Sequence, residues 1–235
     1  MIRGVVFDLD DVLCLESEYA RSGFCAVAAA VGQNEERCEL YAGFLLDSFN
    51  RGFRGNNFDQ LLATFPEVAE RFKVADLVSL YRSHTPEIQL QPGLQSLLQE
   101  LRGVSARLGV ISDGPLLSQQ NKAAALHLTQ YFDLMVLTDA WGVEYWKPHS
   151  RSFEFVKEEW GLSPAELAYV GDNPTKDFVT PKRIGWQTIQ LRQAAHLRGA
   201  IEPASWEYAA AAEVHSVEEL RELLLRWCGG EVYSR

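Results

Sequence analysis

The 235-residue chain carries 22 Lys and Arg against 32 Asp and Glu, a formal net charge of −10, and 47% hydrophobic residues. This composition predicts an ordinary globular protein with a substantial core, and its negative charge argues against nucleic acid as a partner. No apolar stretch is long enough for a membrane span. Because residues 1–4 lead directly into a predicted strand, we expect no signal peptide, and four cysteines without a CxxC pair predict free thiols in the cytoplasm.

The first predicted element is an apolar strand that runs directly into three carboxylates, Asp8, Asp10 and Asp11. Continuous apolar runs are typical of strands in buried parallel sheets, and ligands bind at the carboxyl ends of such strands. Because neighbouring carboxylates repel each other, we expect a divalent cation with oxygen ligands to compensate for them. The alternative is a strand that ends in a solvated acidic turn.

Residues 14–87 interrupt this pattern, because they carry helical periodicity and almost no strand signal. Helices are predicted over 16–31, 36–49, 58–65 and 68–84. Since the segment follows the first acidic strand end, we interpret it as a small helical cap domain inserted over the site. Arg51 and Arg54, in its most loop-like part, are candidates for binding a second anionic group of a substrate. The alternative is that both are solvated loop charges.

Strands and helices alternate through the rest of the chain. Apolar strands are predicted at 108–111, 134–137, 167–170 and 186–191, and helices follow Pro92-Gly93, precede Gly161 and begin again at Ser216. Repeated βα units predict an α/β fold, a Rossmann-like parallel sheet with helices on both faces. We therefore expect a core of residues 1–13 and 88–228, a cap of residues 14–87 and a flexible tail at 229–235.

Polar groups follow the later strands just as carboxylates follow the first. In a parallel sheet these carboxyl ends share one edge, so the groups should converge. Each has an ordinary alternative, namely a turn or helix cap, a solvated lysine, and a turn with an N-cap. The groups in question are Ser112 with Asp113 and Gly114, Lys147, and Asp172 with Asp177.

A phosphate ester at this edge would give each group a chemical purpose. Asp8 would attack phosphorus as a nucleophile, and Asp10 would give a proton to the leaving alcohol and then take one from water. The Ser112 hydroxyl and the backbone N–H groups of Asp113 and Gly114 would hold phosphate oxygens, and Lys147 would add a fixed positive charge. Magnesium would be held by carboxylates, with Asp172 as a direct ligand beside Asp8 and Asp10, and with Asp177 acting through water.

This arrangement resembles the haloacid dehalogenase superfamily along nearly the whole chain. Its DxDx[TV] motif matches residues 8–12, its strand-ending Ser matches Ser112, its Lys matches Lys147-Pro148, and GDxxxxD matches residues 171–177. The resemblance implies a Rossmann-like core, Mg²⁺ dependence and phosphoryl transfer through the first aspartate. True dehalogenases of the family lack the second aspartate, so Asp10 favours a phosphate substrate. One departure is the segment 179–182, which stands where many relatives run into a small, Gly/Ala-rich helix.

The predicted function is a cytoplasmic, Mg²⁺-dependent phosphatase that hydrolyses a small phosphate monoester, a sugar phosphate or a nucleoside monophosphate. The expected partner is that phosphorylated metabolite, with no nucleic acid and no membrane, and with the chain as monomer or homodimer. One alternative is a phosphomutase of the β-phosphoglucomutase type, although those relatives usually have glycine where this chain has Asp11. The other is a non-enzymatic protein that binds a phosphorylated metabolite.

Overall fold

The computed structural model describes residues 1–229, which form two compact units. The first unit combines Met1–Glu16 with the chain from Gln89 onward, and the second is Ser17–Ile88. Apart from Gly229, the predicted tail lies outside the described residues.

The first unit is built on a six-stranded sheet in which every pairing is parallel. The strands are β1 (Gly4–Phe7), β2 (Arg107–Ser112), β3 (Leu134–Leu137), β4 (Leu167–Gly171), β5 (Gln187–Leu191) and β6 (Ala212–Val214). Their order in the sheet is β3-β2-β1-β4-β5-β6, which places β1 at the centre between β2 and β4. This confirms the predicted α/β fold. The short strand β6 was not predicted, because three residues with an exposed glutamate give no apolar run.

Helices pack against the sheet and connect its consecutive strands, except for β5 and β6, which a loop joins. One core cluster packs Phe153, Val156 and Trp160 of a helix against Val6 and Tyr169 of the central strands, all nearly or fully buried. Burial of such side chains stabilises the fold by about 1.5–3 kcal/mol each. The α-helices are α1 (Glu16–Val31), α2 (Glu35–Asn50), α3 (Asn57–Thr64), α4 (Pro66–Ala69), α5 (Val74–Ser83), α6 (Leu94–Gly103), α7 (Leu116–Ala125), α8 (Arg151–Trp160), α9 (Val179–Arg183) and α10 (Val217–Trp227).

The second unit is helical and has an aromatic core. The Phe24 ring lies 5.8 Å from the Phe49 ring, 6.0 Å from Phe58 and 5.5 Å from Tyr81, between centroids. Aromatic pairs at such distances contribute about 0.5–1.5 kcal/mol beyond their area burial. These contacts join α1, α2, α3 and α5 into one packed group.

One local prediction was wrong. The continuous helix at 68–84 is instead α4 and α5, because the Asp76 carboxylate accepts a hydrogen bond from the Lys73 N–H at 2.8 Å and starts a new helix. At the departure from the family pattern, residues 179–182 form most of α9, with Pro181 at its third position, where no intrahelical N–H donor is needed. Within residues 1–229 no helix has both the length and the apolar character to cross a membrane.

Candidate active site

The sheet topology brings the predicted strand-end residues together. Because β2 and β4 flank β1, the ends of all three strands lie side by side, with Phe7 paired to Val110 and to Val170. Asp8 follows β1, Ser112 ends β2, and Asp172 follows β4. The convergence expected from the sequence is therefore a direct result of the strand order.

Three carboxylates form a buried acidic cluster at this edge. Asp8, Asp172 and Asp177 each offer an oxygen atom, and these atoms lie within 4.8 Å of one another. The backbone N–H of Asn173 donates to Asp177 Oδ2 at 2.9 Å and fixes its orientation. A side chain at Gly171 would place its Cβ 2.6 Å from Asp177 Oδ2, so the close approach of this loop requires glycine.

The cluster is electrostatically strained, which shows in the pKa values of its members. Burial, with the nearby charges of Asp177 and Asp8, raises the pKa of Asp172 to about 9. Burial also raises the pKa of Asp8 to about 6, although the charge of Lys147 partly offsets it. The Asp172 Oδ2 atom is buried and has no hydrogen-bond partner. A divalent cation with oxygen ligands fits this cluster, because it would stabilise all three carboxylates in their ionised form.

Lys147 lies fully buried against the acidic cluster. Its Nζ atom is 2.8 Å from Asp8 Oδ2, 2.9 Å from Asp177 Oδ1 and 2.7 Å from the Tyr169 hydroxyl oxygen. Burial alone would lower the pKa of Lys147, but the charges of Asp177 and Asp8 outweigh it and raise that pKa well above its usual value. The lysine is therefore a permanent cation. Sequence reasoning missed Tyr169, whose only signal was a phenol within an otherwise apolar strand.

Asp10 lies outside the acidic cluster. Its Oδ1 atom is 2.6 Å from Lys122 Nζ, and its Oδ2 atom accepts a hydrogen bond from Gln119 Nε2 at 3.0 Å. Burial would raise the pKa of Asp10, but the charge and hydrogen bond of Lys122 outweigh it and lower that pKa. The structure thus joins Asp8, Asp172 and Asp177 but not the Asp10 carboxylate, which was predicted as a fourth metal ligand. Neither Lys122 nor Gln119 stood out in the sequence, since both fit an amphipathic helix.

The loop after β2 contains the predicted phosphate-binding groups. Ser112 Oγ is buried and has no hydrogen-bond partner, so it is available to a ligand. Gly114 adopts a φ of 126°, a backbone conformation that side chains rarely allow. Gln119 Nε2 donates to the Asp113 carbonyl at 2.8 Å and holds the loop against α7.

The side chain of Asp113 has an unpredicted structural role. Its Oδ1 atom accepts hydrogen bonds from Thr138 Oγ1 at 2.8 Å and from the Lys147 N–H at 3.1 Å. Its Oδ2 atom pairs with Lys176 Nζ at 2.7 Å. Three loops that follow different strands are joined through this one carboxylate, so Asp113 fixes their relative positions.

Asp11 has a comparable role on the other side of the site. It is fully buried, has a φ of 54°, and accepts hydrogen bonds from the N–H groups of Glu16 at 2.9 Å and Leu197 at 2.8 Å. Both oxygens are therefore used to connect the loop after β1 with the start of α1 and the loop after β5. Burial raises the pKa of Asp11 to about 6.

Comparisons with known proteins agree with this geometry. A glyceraldehyde 3-phosphate phosphatase of Methanocaldococcus jannaschii is 26% identical over 231 residues, which cover 95% of this chain and 97% of the relative. The pyrimidine 5'-nucleotidase YjjG of Escherichia coli is 32% identical over 136 residues, 57% of this chain and 56% of that protein. The solved structure of L-2-haloacid dehalogenase from Xanthobacter autotrophicus superposes with a TM-score of 0.63 at 21% identity, covering 98% of this chain and 100% of that chain.

One family model spans most of the chain. The model described as haloacid dehalogenase-like hydrolase matches residues 5–191, a range that includes the acidic cluster, the loop after β2 and Lys147. The superposed dehalogenase has the same fold over its whole length, as the resemblance in the sequence predicted. With its four motifs brought to one sheet edge, this chain belongs to the haloacid dehalogenase-like hydrolase family.

Proposed function

We propose that this protein is a Mg²⁺-dependent phosphatase that hydrolyses a small sugar phosphate through an aspartyl-phosphate on Asp8. Its enzyme class is a haloacid dehalogenase-like hydrolase of phosphoric monoesters, as the family match and the phosphatase names of its relatives show. The observation that carries the mechanism is the position of Asp8, whose carboxylate lies between a buried lysine and two further carboxylates. Ser112 Oγ, buried and without a partner, supplies a hydrogen bond for a phosphate oxygen.

The substrate class is inferred from the names of the relatives and from the share of this chain that each relative matches. The relative that matches 95% of this chain is named for glyceraldehyde 3-phosphate, whereas the nucleotidase matches 57%. A match that includes the helical insertion carries more weight for substrate choice. We therefore favour a short sugar phosphate over a nucleoside monophosphate.

The proposed reaction has two steps that share one nucleophile. An Asp8 carboxylate oxygen attacks phosphorus, the bond to the substrate alcohol breaks, and the alcohol oxygen takes a proton from Asp10. Water then attacks the aspartyl-phosphate, giving its proton to Asp10 and releasing inorganic phosphate with Asp8 restored. In the free site Lys122 and Gln119 stabilise the ionised form of Asp10, so the proton that it gives to the alcohol oxygen enters with the phosphate monoester. The same ionised form then accepts the proton from water in the second step.

The metal would be held by the acidic cluster of Asp8, Asp172 and Asp177. When bound, Mg²⁺ supplies positive charge that offsets the repulsion between these carboxylates and an incoming phosphate. Lys147 contributes to the same end, because its charge favours the ionised, nucleophilic form of Asp8. Asp10 is assigned to proton transfer, since its carboxylate is held by α7 and not by the cluster.

The helical unit is proposed to be the cap domain that selects the substrate. It is a separate compact unit, and it enters the chain directly after the loop that carries Asp8 and Asp10. We further propose a cytoplasmic location, supported by the four cysteines, Cys14, Cys25, Cys38 and Cys228, all of which are free thiols.

The test is a phosphate-release screen with Mg²⁺ over glyceraldehyde 3-phosphate, hexose phosphates and nucleoside monophosphates. We expect release of inorganic phosphate, with the highest kcat/KM on a short sugar phosphate. Asp8→Asn should lower kcat by at least about a thousandfold, because it removes the nucleophile, while its melting temperature stays near that of wild type. Migration of phosphate on hexose phosphates without release would instead identify a mutase. An Asp8→Asn variant with full activity would contradict the mechanism.

A further inference from the structure

Lys147, the lysine that the sequence predicted for phosphate binding, is fully engaged by the protein itself. An ammonium group has three N–H donors. Three oxygen atoms, from Asp8, Asp177 and Tyr169, lie within 2.9 Å of Lys147 Nζ. The side chain has no exposed surface. Its charge can act on a phosphate from a distance, but it has no free donor for a phosphoryl oxygen.

A second lysine has the access that Lys147 lacks. The side chain of Lys176 is 28% exposed, and its Nζ atom is 2.7 Å from Asp113 Oδ2. Asp113 directly follows Ser112 in the loop proposed to hold phosphate.

We propose that Lys176 binds a phosphoryl oxygen of the substrate, exchanging its contact with Asp113 for one with the phosphate group. This inference rests on the proposed phosphatase function, and it gives Lys176 the role of the cationic side chain that moves to contact the phosphate. Asp113 stays in place during the exchange, since its Oδ1 atom keeps the hydrogen bonds from Thr138 and from the Lys147 N–H. The long, flexible lysine stem allows such a movement without any change in the backbone.

The exchange also explains why an acidic residue stands in a phosphate-binding loop. Without substrate, the Asp113 carboxylate holds Lys176 beside the site and compensates its charge. When the phosphate arrives it carries the greater negative charge and competes for the same ammonium. Lys176 therefore links occupancy of the site to the loop that contains Asp172 and Asp177.

The experiment measures binding of inorganic phosphate by isothermal titration calorimetry in the presence of Mg²⁺, with inhibition of hydrolysis by phosphate in parallel. Lys176→Met should weaken the phosphate Kd and Ki by about tenfold to a hundredfold, as expected for a charge-assisted hydrogen bond. Lys176→Arg should stay within about threefold of wild type, because it keeps the charge and the donors. The matched control is Lys157→Met on the surface of α8, where Lys157 pairs with Glu154 of its own helix, and its phosphate affinity should not change.

The outcomes separate this inference from the proposed function. If Lys176→Met binds phosphate as tightly as Lys157→Met while wild type hydrolyses sugar phosphates, the lysine assignment is wrong and the phosphatase function stands. If the wild-type protein hydrolyses none of the esters but binds phosphate more tightly than Lys176→Met does, the proposed phosphatase function is wrong and the phosphate-binding role of Lys176 stands. A wild-type protein that binds no phosphate contradicts the assignment of Lys176.

Discussion

Charged side chains are used in opposite ways at the strand ends of the first unit and in the helical unit Ser17–Ile88. At the strand ends, Lys147 is buried among carboxylates, and Asp172 Oδ2 is left without a hydrogen-bond partner. In the helical unit, Arg54 donates to the carbonyls of Phe49 and Phe53 and lies 3.9 Å from the Phe49 ring centroid. At the strand ends, repulsion between buried carboxylates is retained where a metal cation and a phosphate are proposed to bind. In the helical unit, nearby carbonyls and an aromatic ring stabilise the charge of Arg54.

Two arginines of the helical unit illustrate this difference. Arg51 and Arg54 were candidates for binding a second anionic group. Arg51 Nε instead donates to the Asp47 carbonyl at 3.3 Å, and Arg54 uses one nitrogen for two carbonyls. These contacts favour the alternative, in which both arginines are solvated loop charges, and they show in addition that each side chain binds nearby backbone carbonyls.

The largest expected effect on stability comes from removing the buried ammonium group of Lys147. Lys147→Met should lower the free energy of unfolding by about 3–5 kcal/mol, because it leaves two buried carboxylates without their partner. Urea denaturation at pH 7 measures this, with Lys157→Met as the surface control, expected to leave the free energy of unfolding nearly unchanged. Part of the lost stability should return at pH 5, where the orphaned carboxylates take up protons. Equal stability of Lys147→Met and Lys157→Met would show that the buried lysine does not stabilise the carboxylates around it.

A smaller effect on stability is expected from Mg²⁺ binding, and the size of this effect should depend on pH. The raised pKa values of Asp8, about 6, and Asp172, about 9, mean that these groups stabilise the metal-free fold below pH 4 and lose that contribution as pH rises through 6 and 9. Mg²⁺ replaces the protons, so its stabilising effect should be larger at pH 8 than at pH 5. At a concentration a hundredfold above its Kd the gain is about 2.7 kcal/mol.

Thermal melting with Mg²⁺ or EDTA at the two pH values measures this effect. Asp172→Asn is the control, and it should remove most of the difference between pH 5 and pH 8. A Mg²⁺ shift of the same size at both pH values would show that the ion binds outside the acidic cluster.

The smallest effect is expected in the helical unit. Arg54→Ala should cost about 1 kcal/mol of stability, because it removes a cation–π contact and two hydrogen bonds at an exposed position. Arg51→Ala is the control and should change stability by less than about 0.5 kcal/mol. Neither should change KM for the preferred sugar phosphate. A raised KM with unchanged stability would return Arg54 to the role of a substrate-binding residue.

Most of the fold was predictable because its signals are local. Apolar runs identified five of the six strands of the described chain, and the parallel order followed from alternation with helices. The missed strand, β6, pairs with β5 over only three residues and leaves Glu213 exposed. The break between α4 and α5 depends on one carboxylate that caps a backbone N–H, a choice that periodicity does not reveal.

The residues of the candidate site likewise divide into those that the local sequence predicted and those that it did not. Asp8, Ser112, Lys147 and Asp172 were found because each follows a strand, and parallel strands end at a common edge. Residues that contact these groups from the side were not found, because their partners are distant in sequence. Lys122 lies 112 residues from Asp10, and Lys176 lies 63 residues from Asp113.

The sequence by itself therefore determined the family, the α/β fold and the residues at the strand ends, since these depend on order along the chain. Only the tertiary structure decided how the charges pair. It placed Asp10 with α7 instead of with the acidic cluster, saturated Lys147 with three oxygens and left Lys176 partly exposed beside Asp113. The physical reason is that electrostatic energy depends on distance and burial, and both are fixed only when the loops pack against one another.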